Sequence, residues 1–299
     1  MAFNPADYRQ SLTLADGDLR RALADLGVPP GQNPVFAAID HPTLLEKALT
    51  GFLRAGARLL VTPTDTTDEL TDTAPAGLEK FDHATRLLDA IRRTARFYRT
   101  FSDEHSSERP VVIGAIGPSS RLLLLGEHTA DNLHAVFTKQ CQALAEGGVD
   151  AIFCSAFVEL DALLIAIRSA ATVHLPAIAG MRFDAGADGA ETTLGVTSPQ
   201  AAAAAESAGA AIFAIDAGER PDTVAAVVAL VRKTTQLPIW VRISAGFPQL
   251  DEGRVVYPES PADFAIRVTA VRNAGADIIG GGPGVTADHL AALAPRRKR

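Results

Sequence analysis

Eight short apolar runs are spaced along this chain of 299 residues, and most are separated from the next by one stretch of helical periodicity. The runs are Ser11–Ala15, Arg58–Thr62, Val111–Ala115, Ala151–Cys154, Ala177–Met181, Ala211–Ile215, Ile239–Ile243 and Asp277–Gly280. Continuous apolar strands between amphipathic helices predict a parallel sheet, because such strands are buried on both faces. Eight such units predict an α/β chain closed into a (β/α)8 TIM barrel. A single domain over residues 1–299 fits, since these barrels take about 250 residues plus extensions. The competing open, doubly wound sheet calls for a nucleotide-binding Gly-x-Gly-x-x-Gly turn after the first strand. None follows Ser11–Ala15.

Glycine marks the helix ends. Ala55-Gly-Ala57, Glu146-Gly-Gly148, Ala208-Gly-Ala210 and Ala274-Gly-Ala276 each precede a strand and read as helix stops. Their uneven spacing makes them recurrent helix-to-strand turns, not a solenoid repeat. Three long polar connections, Thr64–Lys80, Phe183–Thr197 and Phe247–Pro258, follow strands. They are expected over the mouth of the barrel, where such folds place their sites.

Composition narrows the partners. A net charge of −7 argues against nucleic acid. The one basic cluster, at residues 295–299, reads as a solvated tail. No run approaches the roughly 18 apolar residues of a membrane span. Two cysteines, and no basic stretch leading into an apolar run at the N-terminus, predict a cytoplasmic protein without a disulfide framework. A small-molecule ligand, a homo-oligomer and a partner subunit are all compatible with this surface.

The segment Asp277–His289 is the most specific. It reads as a strand, a loop of Gly280, Gly281, Gly282, Pro283 and Gly284, and a helix beginning near Thr286. It resembles the end of the homocysteine S-methyltransferase family, where the last strand runs into Gly-Gly-Cys-Cys-Gly and then Thr-Thr-Pro-Glu-His. Gly280, Gly281, Gly284, Thr286 and His289 fit that pattern. Other segments are similar to family motifs: Asp16-Gly17, Ala55 to Thr64, Gly114-Ala-Ile-Gly-Pro118, Gly195-Val-Thr-Ser-Pro199 and Val256-Tyr-Pro-Glu-Ser-Pro261. The likeness covers nearly the whole chain. It implies a barrel that transfers a methyl group to a homocysteine thiol, held and ionised by zinc on three cysteines.

The residues at the chemical positions differ. The family's two C-terminal cysteines align with Gly282 and Pro283, and the third, in an Asn-Cys-Gly turn, with Ala217. None of these side chains can bind zinc. Ser155-Ala156 replaces the family's Glu-Thr, Ser244 the asparagine of Asn-Ala-Gly, and Pro63 that of Thr-Asn-Thr. An unassisted thiol, with pKa about 8.5, is only a few per cent ionised at pH 7, and without the metal its sulfur is also unpositioned. The expectation is therefore a family member without the zinc site and with no predicted cofactor, either diverged or inactive.

The polar groups expected at the mouth are Asp16, Thr64, Asp65, Ser155, Arg182, Asp216, Arg242 and Ser244. Arg242 and Ser244 share one side of their strand. Two arginines facing Asp216 would suit a metal-independent enzyme acting on a small anionic metabolite. Alternatively, Arg182 and Arg242 are taken up in buried ion pairs with Asp216 and Glu159. The glycine loop offers backbone N–H groups for a phosphate, or is simply inherited from the cysteine-bearing frame. A third possibility is a non-catalytic subunit that works through protein contacts. Cys154 and Cys141 read as core residues. The seven histidines are dispersed, and His289 reads as structural.

Overall fold

In the computed structural model, residues 3–9, 11–29, 32–71, 80–105, 110–184, 186–217, 222–251 and 254–293 are described. The basic tail at 295–299 lies outside them. The barrel strands are β1 (Thr13–Leu14), β2 (Leu59–Val61), β3 (Val111–Ile116), β4 (Ala151–Phe157), β5 (Ala177–Arg182), β6 (Ile212–Asp216), β7 (Ile239–Ile243) and β10 (Ile278–Gly281). All pair in parallel, in the order β1-β10-β7-β6-β5-β4-β3-β2. A parallel bridge between Ala15 and Leu59 joins the two edges. The chain is a (β/α)8 barrel.

Helices cover the outside. They are α1 (Leu19–Asp25), α2 (Pro34–Asp40), α3 (Pro42–Arg54), α4 (Thr67–Thr71), α5 (Lys80–His105), α6 (Ala130–Gly147), α7 (Leu160–Ala171), α8 (Ser198–Ser207), α9 (Val224–Arg232), α10 (Pro261–Asn273) and α11 (Ala287–Leu293). The helix stops read from sequence carry left-handed glycines: Gly56 (φ 104°), Gly148 (89°), Gly209 (86°) and Gly275 (114°). The Phe247–Pro258 connection holds an element the periodicity does not suggest. It is an antiparallel hairpin of β8 (Gln249–Asp251) and β9 (Arg254–Val256). Among the described residues, no helix is long and apolar enough to cross a membrane.

Two cores follow from strand alternation. Outward-facing strand residues pack under the helices in the larger cluster, with Val241, Ile243, Phe157 and Ile279. Inward-facing residues form a second cluster, including Ala15, Leu59, Ile113, Phe153, Ile178, Ala214, Trp240 and Ile278, with Tyr8 beneath them. Two glycines make room for large rings inside the barrel. A Cβ on Gly180 would lie 2.6 Å from the Phe153 ring, and one on Gly280 would lie 2.7 Å from Trp240 Nε1. Phe153 and Trp240 stack there, with centroids 4.8 Å apart. Their rings form the floor beneath the mouth.

Candidate functional site

Arg242 lies directly on this floor. Its guanidinium carbon is 5.4 Å from the Phe153 ring centroid, a cation–π placement that keeps the charge out of purely aliphatic surroundings. Strand register puts Arg182, Asp216, Arg242 and Gly280 in one row around the barrel. Arg242 Nη1 donates to Ser155 Oγ (3.0 Å) and to Asp216 Oδ2 (3.3 Å). The arginine is therefore anchored by the adjacent strand β6 and by β4 across the barrel while it lines a cavity of about 480 Å3.

Ser155 reaches Arg242 because β4 is irregular. Its register with β5 shifts between Cys154 and Phe157, and Ala156 takes φ 58°. A bulge of this kind re-aims side chains near sites, and a non-glycine residue in the left-handed region is strained.

Asp16 sits where the barrel closes. Its Oδ2 accepts from Val61 N (2.8 Å), its carbonyl accepts from Gly281 N (2.6 Å), and its own N–H donates to Leu59 O (2.9 Å). Three strands thus fix one carboxylate that is only 5% exposed. Burial pushes its pKa up to about 7, against the opposing pull of the Val61 N–H and of the Arg242 charge. A carboxyl with that pKa can accept or return a proton at neutral pH. Asp65 is raised too, chiefly by desolvation, with Arg20 and Arg242 pulling the other way. Its side chain is open to the cavity but lies deep in surrounding protein, so solvent screening weakens the effect.

The loop after β10 is held by its own donors. Gly281 N bonds Asp16 O, Gly282 N bonds Ile243 O (3.1 Å), and Gly284 N bonds Asp18 Oδ2 (2.8 Å). Pro283 has no N–H to offer. These bonds occupy the donors that a phosphate would need, so the loop serves as frame, not anion cradle. Its approach to neighbouring backbone is close: a Cβ on Gly282 would lie 2.8 Å from the carbonyl carbon of Ile243 and 3.0 Å from Ser244 N. Just beyond, the Thr286 N–H donates to His289 Nδ1 (3.2 Å). The remaining N–H of His289, on Nε2, therefore faces Glu259 O (2.9 Å), and its ring packs edge-on to Phe264. His289 pins the last helix.

Of the side chains expected at the mouth, Asp16, Asp65, Ser155 and Arg242 line the cavity, as do Gly282 and Pro283. The other four are placed differently. Thr64 is fully buried and donates to Ala115 O (2.7 Å), tying the β2 loop to β3. Ser244 donates to Gly246 O (2.9 Å) within its own turn. Asp216 stands behind Arg242 as its counter-ion. Arg182 pairs with Asp184 (2.7 Å), two residues along the chain. Ala217 is buried, at 2% exposure. The expected ion pairing thus holds for Arg242 and Asp216. Glu159 instead accepts from the N–H groups of Leu123 and Leu124.

Among the charged and aromatic lining residues, three escape the sequence reading: Asp18, Arg20 and Tyr257. Tyr257 stands inside the Val256–Pro261 motif, and Asp18 and Arg20 directly follow Asp16-Gly17, so proximity to matched motifs is the signal that points to them.

The profile of the homocysteine S-methyltransferase family matches residues 13–296. The chain belongs to the homocysteine S-methyltransferase family. Solved structures of the homocysteine methyltransferase MmuM from Escherichia coli share its fold. The apo form is 18% identical, with TM-score 0.71, over 97% of this chain and 98% of that one. The metallated form is also 18% identical, with TM-score 0.73, over 95% and 96%. A more distant likeness, TM-score 0.54 at 15% identity, joins it to the carboxyl transferase domain of Rhizobium etli pyruvate carboxylase, over 92% of this chain and 40% of that one. Among curated protein sequences, none matches this chain.

Proposed function

We propose that this family member works without the family's zinc, and that its barrel mouth binds a small carboxylate-bearing metabolite. In this reading Arg242 holds the carboxylate and Asp16 moves a proton to or from the bound molecule. The observation that carries it is the open cavity above Arg242, lined by Asp16, Asp65 and Ser155. Side chains that had only filled a vacated metal site would leave no such space.

The donor chemistry supports the zinc-free half. Ala217, Gly282 and Pro283 supply no sulfur or imidazole. A side chain at position 282 would collide with the backbone of β7, so the loop has closed over the place a ligand would project from. Among the described residues, no group of three or more His, Cys, Asp or Glu side chains is placed to hold a metal ion. A thiolate-held zinc does not fit these residues, and no step is routed through one.

The guanidinium supports the other half. It is already aligned by Asp216 and Ser155, and a planar fork of donors suits a carboxylate. Asp16 and Asp65 can receive an amine or hydroxyl on the same molecule. The test is a thermal-shift screen of small amino and organic acids. Binding should raise Tm by a few degrees, and Arg242→Gln should abolish the response. No stabilisation by any carboxylate would refute the reading, as would a response untouched by Arg242→Gln.

A further inference from the structure

The far end of the barrel gathers arginines that the mouth does not use. Beside the N-terminal ends of β1, β10 and β7 lies a cavity of about 270 Å3, lined by Arg9, Ser11, Arg232, Arg272 and Asp277 among others. The whole chain has a net charge of −7, yet this lining holds three arginines against one aspartate.

The arginines arrive by separate routes. Arg232 lies in the last turn of α9 and Arg272 in the last turn of α10, where a cation complements the helix dipole. The dipoles account for these two but not for Arg9. That residue comes from the segment before β1, and its Nη1 donates to Gln236 O (2.9 Å), which ties it to the turn between α9 and β7. Asp277 is already engaged, since its Oδ2 accepts from Arg232 Nη1 (3.3 Å) and from Ile239 N (2.8 Å). Arg232 also donates to the carbonyls of Thr235 and Leu237, so most of its fork is spent inside the protein. Burial lowers the pKa of Arg232. Asp277 opposes that shift and the charge of Arg9 adds to it, as two cations held close must. Arg272 is exposed, and among the described residues its side chain has neither a hydrogen bond nor an ion pair. With Arg232 matched by Asp277, the charges of Arg9 and Arg272 stand unmatched beside one cavity, with donors to spare.

We propose that this cavity binds a phosphoryl dianion, either inorganic phosphate or the phosphate group of a small metabolite. Two unmatched guanidinium groups balance its two charges. Forks of donors reaching in from different elements suit a tetrahedral oxyanion. The Ser11 hydroxyl in the same lining adds a neutral donor. The site lies at the opposite end of the barrel from Arg242 and does not depend on the carboxylate site proposed above.

Calorimetric titration of the purified protein with inorganic phosphate and with glycerol 3-phosphate, each against sodium chloride of equal ionic strength, tests the proposal. At least one phosphate should bind saturably where chloride does not. Arg272→Gln should weaken that binding roughly tenfold, the factor for losing one charge-assisted hydrogen bond, and Arg9→Gln should do the same. Both side chains are exposed, so the Tm without ligand should stay unchanged in either variant. Tighter binding of inorganic phosphate identifies the free ion as the occupant, and tighter binding of glycerol 3-phosphate identifies a phosphate ester. Arg242→Gln should leave the affinity as it is. No saturable binding, an affinity that survives both Arg272→Gln and Arg9→Gln, or a loss on Arg242→Gln instead would overturn the proposal.

Discussion

Asp16 shows how one residue couples closure of the barrel to chemistry. Three strands meet at its backbone and carboxylate, and the resulting burial raises its pKa from 3.8 to about 7. The sign of the pH effect follows from linkage. Between about pH 4 and 7 the folded chain holds a proton that the unfolded chain has released. Stability from this group is therefore greatest at the acid end, falls as pH rises to about 7, and is flat above it. Urea midpoints between pH 4.5 and 8 should show this fall, with a slope of up to ~1.4 kcal/mol per pH unit for one proton. Asp16→Asn, which keeps an oxygen for the Val61 N–H, should make the slope shallower, leaving the contribution of Asp65, which has the same sign. An identical slope in the variant would show that Asp16 titrates normally. Asp16 was legible in the sequence because the Asp-Gly pair belongs to a recognisable motif. The placement of Arg182 was not, because its partner Asp184 lies in a loop, where no periodicity fixes direction.

At the scale of elements, the floor of the site depends on large and small residues facing each other across strands. Gly180 on β5 and Gly280 on β10 yield space to Phe153 and Trp240, and Arg242 rests on Phe153. Gly280→Ala should destabilise the barrel by about 1–3 kcal/mol, since its methyl group would sit 2.5 Å from Ala15 Cβ as well as against the indole. Denaturant unfolding of Gly280→Ala, Trp240→Phe and the double variant measures this. The smaller ring should recover part of the loss, and strict additivity would mean that the two positions do not compete for volume. The barrel strands themselves were visible as apolar runs because burial on both faces leaves a continuous signal. The hairpin of β8 and β9 was not. Residues Gln249–Asp251 are exposed, so no alternation marks them. The β4 bulge at Ala156 was equally silent, since a backbone kink needs no special residue when the surrounding strands impose it.

For the whole molecule, the family frame is clearer than the site. The barrel closes, its helix stops carry left-handed glycines, and the family profile matches residues 13–296. At the mouth, the sequence disclosed which side chains were absent more readily than how those present would assemble. That Ala217, Gly282 and Pro283 carry no sulfur is read directly from the sequence. The gathering of Asp16, Asp65, Ser155 and Arg242 around one cavity depends on strand register and loop packing. The most direct test of a zinc-independent mouth is the zinc content of the purified protein, measured by elemental analysis after saturation with zinc and dialysis. Well under one zinc per chain is predicted. One tightly held zinc per chain, together with methylation of homocysteine, would contradict it.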